Sequence, residues 1–102
     1  MKIFLISDNR DTLTGMRLTG IKGAIAHDET SFKKEFFQAV SDTEIALIII
    51  TEKISRNFDN IIREFKLSAK SPLIVEIPDR HGLGRSPDFL TKYINEAIGI
   101  KI

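Results

Sequence analysis

The sequence predicts an α/β fold: a doubly wound, four-stranded parallel sheet in the order 2-1-3-4 with helices on both faces. Two observations carry this. Short runs at residues 3–6, 24–26, 45–50 and 73–77 are apolar almost throughout instead of alternating, as in strands buried on both faces. Stretches of helical period separate them, giving the alternation β-α-β-α-β-α-β-α that feeds right-handed crossovers.

The first strand, residues 3–6, leads into a helix that Asp11 or Thr12 could cap. That helix carries Leu13, Met16 and Leu18 and ends near Gly20 or Gly23. After the second strand, Thr30 or Ser31 could cap a helix with Phe32, Phe36, Phe37 and Val40 on its core stripe. The third strand is the longest apolar run, 45–50. A single helix over 52–68 follows, with Ile54, Phe58, Ile61, Ile62 and Phe65 on one face. The fourth strand, 73–77, has Glu76 within it and Pro72 and Pro78 beside it, which suits an edge.

From residue 79 the texture changes, so the chain divides into an α/β body over 1–78 and a C-terminal element over 79–102. Residues 79–85 are polar and glycine-containing and read as a hinge. Ser86, Pro87 and Asp88 make a helix start: a capping hydroxyl, a proline in the first turn and a carboxylate at the positive dipole end. The helix carries Phe89, Leu90, Tyr93, Ile94 and Ala97, and the chain closes on the apolar run 98–102. The element reads two ways. It covers one face of its own sheet, or it is a mobile arm that docks on a partner through Arg85, Phe89, Leu90, Tyr93 and Ile94.

Composition bounds the function. The 102 residues are one domain's worth, and 42% apolar content supports a single modest core. Fifteen basic and fourteen acidic residues leave a net charge of +1, which gives no footprint for nucleic acid or an anionic membrane. With no cysteine there are no disulfides or thiolate metal sites. No apolar run approaches the ~20 residues of a membrane helix, and no signal peptide is evident, so a cytoplasmic protein is expected.

In a doubly wound sheet, ligands sit at the carboxyl ends of the strands where strand order reverses, here between strands one and three. Ser7, Asp8, Asn9, Arg10 and Asp11 arrive there from one loop, and Thr51, Glu52 and Lys53 from the other. Receiver-type phosphorylation domains place magnesium-binding carboxylates after strand one, but they need a phosphoacceptor Asp at the end of strand three. This chain has Thr51. Asp8 and Asp11 then read as caps of the turn and the following helix. No glycine-rich dinucleotide fingerprint follows the first strand, and no phosphate-binding loop is present, since Lys22 and Gly23 stand in reversed order. His27 and His81 lack metal-ligand spacing. Neither a catalytic residue, a cofactor nor a metal is expected.

Taken in order, four stretches resemble the F subunit of V-type (archaeal/vacuolar-type) rotary ATPases. These are residues 1–8 with Asp11, Thr12 and 15–21; residues 42–54; residues 72–79; and Gly84, Arg85, Ser86 with the helix and tail beyond. The resemblance spans essentially the whole chain. It implies a small Rossmann-like, receiver-like body with a C-terminal helix that can move, and no catalytic residue. It implies a central-stalk protein bound to the coiled-coil D subunit, near the socket subunit at the membrane ring, whose arm reaches toward the catalytic A/B head. It implies coupling of ATP turnover to proton or sodium transport, peripheral to the membrane and without insertion into it. The alternative from the residues alone is a stand-alone receiver-like signalling or small-ligand domain.

Overall fold

A computed structural model describes residues 2–69 and 71–78. Its elements run β1 (Lys2–Ser7), α1 (Arg10–Leu18), β2 (Lys22–Ile25), α2 (Glu29–Ser41), β3 (Ile45–Thr51), α3 (Glu52–Asn57), α4 (Asp59–Ser68) and β4 (Leu73–Ile77). All neighbouring strands pair in parallel, in the order β2-β1-β3-β4. The expected topology is the observed one, with β4 at an edge of the sheet.

Continuous apolar strands follow from burial on both faces. Ile6, Ile48, Ile50 and Ile74 point to one side, where Phe32, Phe36, Ile54 and Ile62 from α2, α3 and α4 close over them. Leu5, Leu47, Ile49 and Ile77 point to the other, with Leu13 and Met16 of α1 packed among them. Successive residues of β3 therefore enter opposite cores, and Ile48 and Ile49 are both fully buried.

Local signals explain where the elements start and stop. Asn9 caps α1 from an extended backbone, its Oδ1 accepting the Thr12 N–H at 2.8 Å. The expected caps, Asp11 and Thr12, lie inside the first turn, where Asp11 meets the positive helix end. At the other end, Gly20 adopts φ of 91°, its N–H bonding the Arg17 carbonyl while the Ile21 N–H bonds Met16. This is the two-bond closure that favours glycine. Asp28, not Thr30 or Ser31, caps α2. Its carboxylate accepts the Ser31 N–H at 2.7 Å and Ser31 answers with its hydroxyl, a reciprocal capping box.

The helices depart from expectation in other ways. Leu18 is 74% exposed, because two residues after Met16 a helix has turned ~200° away from its core face. Phe37 is about half exposed, standing on the flank of α2 edge-on to Phe36. The single helix over 52–68 is two, α3 and α4, joined at Phe58 with φ −123° and ψ 30°. Backbone bonding persists across the joint, from the Phe58 N–H to Ile54 and from the Ile61 and Ile62 N–H groups to Phe58. There the Phe58 ring lies flat on Phe32, centroids 4.5 Å apart.

The second strand begins two residues earlier than its apolar run suggests. Lys22 and Gly23 pair with Phe4 and Leu5, while Ala26 lies just past the strand, fully buried, bonding the Ser7 carbonyl. Gly23 is required there: a Cβ would stand 2.6 Å from the Leu5 carbonyl oxygen and 2.8 Å from its Cβ. The division at residue 78 and the C-terminal element, with Arg85, Phe89, Leu90, Tyr93 and Ile94, lie outside the described residues.

Candidate functional site

The strand order places the switch point between β1 and β3. There Ser7 and Thr51, the last residues of the two strands, are fully buried. Ser7 spends its hydroxyl on the loop that follows, donating to the Asn9 carbonyl at 2.9 Å and accepting the Asn9 N–H at 3.0 Å. Asn9, held in that turn, is free to cap α1.

Asp8 does not cap the turn. Its Oδ1 accepts the Thr51 hydroxyl at 2.7 Å, a bond across the crevice between residues 43 apart in sequence. The Asn9 side-chain amide approaches the same oxygen at 3.5 Å, the outer limit of a hydrogen bond. Thr51 thus occupies the position where a receiver domain carries its phosphoacceptor, and its hydroxyl is directed at the carboxylate that would hold magnesium. Beyond it, Glu52 pairs with Arg56 one helical turn along α3 at 3.4 Å. Lys53 and Asp11 are also engaged. Among the described residues, no three His, Cys, Asp or Glu side chains converge to hold a metal ion. The sequence brings the right residues to the crevice but does not reveal that two of them bond each other.

A second feature escaped sequence reasoning. At the opposite, amino end of the strands, an open groove of about 620 Å³ runs between α2 and the β1–β2 edge of the sheet. Phe4, Ile21 and Ala39 are among its apolar residues, with Lys22 from β2 and Glu35 and Gln38 from α2 beside them. Lys2 at one end pairs with Glu44 at 2.8 Å, and that hydrogen bond holds its ammonium above the ordinary lysine value. The signal available was the polar face of α2: Glu35, Gln38 and Asp42 follow helical spacing and so share one flank.

Residues 3–94 match the family described as ATP synthase (F/14-kDa) subunit. The chain belongs to this family. Among its relatives, the F subunit of the A-type ATP synthase of Methanosphaera stadtmanae is 36% identical over 90% of this chain and 88% of its own. That of Methanocaldococcus jannaschii is 34% identical over the whole of this chain and 99% of its own. That of Methanothermobacter thermautotrophicus is 33% identical over 92% and 90%. The family match extends past Pro78 through Ile94, so it includes the sequence of Arg85, Phe89, Leu90 and Tyr93. Among the described residues no helix is long and apolar enough to cross a membrane.

Proposed function

We propose that this chain is the F subunit of a V/A-type rotary ATPase or ATP synthase, a non-catalytic central-stalk protein that helps couple ATP turnover to proton or sodium transport. The observation that carries this reading is the family match over residues 3–94, nearly the full chain, with relatives that are F subunits of A-type ATP synthases. The crevice agrees with it. Where phosphoryl chemistry would need a carboxylate nucleophile there is a threonine, and its hydroxyl is bonded to Asp8.

In this role the body grips the coiled-coil D subunit near the socket subunit of the membrane ring, on the cytoplasmic side. The C-terminal element over 79–102 reaches toward the catalytic A/B head, with Arg85, Phe89, Leu90, Tyr93 and Ile94 as its contacts. Apolar side chains at i, i+1, i+4 and i+5 give a helix one docking face.

Co-expression with the D subunit of an A-type ATPase tests the assignment. A one-to-one complex that survives gel filtration is expected. A well-folded chain that elutes alone would overturn the rotor-stalk assignment. Incubation with magnesium and acetyl phosphate tests the receiver-like alternative, and a stable phospho-adduct would overturn the non-catalytic reading.

A further inference from the structure

We infer that residues 79–102 close the half of the sheet that the described helices leave uncovered, the α1-side face of β3 and β4. This goes beyond the rotor-stalk reading and does not rest on it. Right-handed crossovers decide which face each helix takes. From β1 to β2 the chain moves one way along the sheet, and from β2 to β3 and β3 to β4 it moves the other. α1 therefore lies on one face and α2, α3 and α4 on the opposite one. α1 packs chiefly on β1 and β2, and among the described residues no other helix joins the core on its side.

The β3–β4 half of that face is nevertheless buried. β3 turns Leu47 and Ile49 toward it, and β4 turns Leu73, Val75 and Ile77. Ile49 and Ile77 are fully buried and Leu47 nearly so. β4 is an edge strand, so Ile77 needs a cover lying over the sheet as well as its neighbour β3. This burial is that of a single chain, which makes the cover the chain's own residues beyond 78.

Origin, length and pattern fit that segment to the place. The chain leaves β4 at its carboxyl end, next to Ile77. The helix read from Ser86 to Ala97 would span ~18 Å, close to the ~17 Å of a five-residue strand. Laid antiparallel to β4, its apolar stripe brings Phe89 and Leu90 toward Ile77, and Ile94 and Ala97 toward Leu73. The opposite face is the poorer seat: α3 and α4 already pack there, and β4 presents the exposed Glu76 to it. Contact of the same side chains with a catalytic head then requires the element to leave the sheet.

The full chain supplies its own probes, since it has no cysteine, no tryptophan and a single tyrosine, Tyr93. Iodide is expected to quench Tyr93 severalfold less in the native chain than in urea. Leu73→Cys with Ile94→Cys is then compared with Glu76→Cys with Ile94→Cys under mild oxidation. Leu73 is half exposed and Glu76 exposed, so neither strand cysteine opens the core. The first pair is expected to form an intramolecular disulfide about tenfold faster or more, because the second is divided by the sheet and a disulfide needs close Cβ atoms. Equal rates, a faster Glu76 pair, or a Tyr93 as open to iodide as in urea would overturn the inference and leave the rotor-stalk reading standing. A Leu73 pair that yields covalent dimers instead would assign the cover to a second copy and also overturn it.

Discussion

Phe58→Ala probes the joint between α3 and α4. A fully buried phenylalanine truncated to alanine costs ~3–5 kcal/mol. Phe58 is half-buried, and its principal contact is the flat stack on Phe32, with centroids 4.5 Å apart and planes 7° from parallel. Scaling for the exposed part of the ring leaves about 2 kcal/mol. In a domain of this size each kcal/mol moves Tm by ~4–8 °C, so melting should fall by roughly 8–16 °C. Phe32→Leu, which removes the second ring and keeps most of its volume, closes a double-mutant cycle. Stacked pairs contribute ~0.5–1.5 kcal/mol beyond their buried area, so the double variant should be less destabilised than the sum of the singles by that amount. Urea melts followed by far-UV circular dichroism supply all four corners. A Phe58→Ala protein within about 0.5 kcal/mol of the parent, or a strictly additive cycle, would show that the ring does not hold α2 to the joint.

Two glycine substitutions should separate space from backbone conformation. Gly23→Ala forces a Cβ to within 2.6 Å of the Leu5 carbonyl and should cost about 2 kcal/mol or more, whereas Gly20→Ala meets nothing within 4 Å and should cost only the ~1 kcal/mol of its positive φ. Similar melting points for the two would refute that distinction. The Asp28 carboxyl is held below its ordinary value by the Ser31 N–H and then by the Ser31 side chain. Its folded pKa being the lower one, the carboxylate's stabilising effect is fully present above the unfolded value, ~3.9, and is lost as pH falls through the folded value. The stability advantage over Asp28→Asn should therefore shrink below about pH 4, and a constant difference from pH 7 to 3 would contradict it.

The sheet was legible because its signal is redundant. Four apolar runs of strand length, each followed by a helical stripe or a break, leave few topologies that obey right-handed crossover. Boundaries depended on single residues and were less secure. Asn9 and Asp28 cap their helices from extended backbone, while the equally plausible Asp11, Thr30 and Ser31 fall two or three residues beyond them. The break at Phe58 is marked by neither proline nor glycine. Its spacing fits one continuous stripe, and nothing in that spacing announces the turn at Phe58, whose ring stacks on Phe32. The groove was not legible either, since Lys22 reads as a loop residue until it pairs with Phe4.

The crevice shows most sharply how residue types can point to chemistry that their bonding does not support. Asp8 and Thr51 arrive where a doubly wound sheet usually binds its ligand, yet the nearest polar partner of each is the other. If this bond is structural, Thr51→Val should be felt in stability and not in binding. The substitution keeps the branched shape, which suits the fully buried position at the end of β3, and removes the hydroxyl. Asp8 Oδ1 is then left with the Asn9 amide at 3.5 Å, too far to replace a bond of 2.7 Å. Loss of a hydroxyl donor to a part-buried carboxylate costs ~1–3 kcal/mol, and urea melts would register it as a lower midpoint at unchanged slope. Binding to the D subunit, the partner proposed above, should keep its parent affinity, because the Thr51 hydroxyl and the Asp8 carboxylate are spent on each other. Unchanged stability would mean that the Asp8–Thr51 bond does not fasten β1 to β3. Loss of D binding in a folded Thr51→Val protein would move the functional surface back to the crevice.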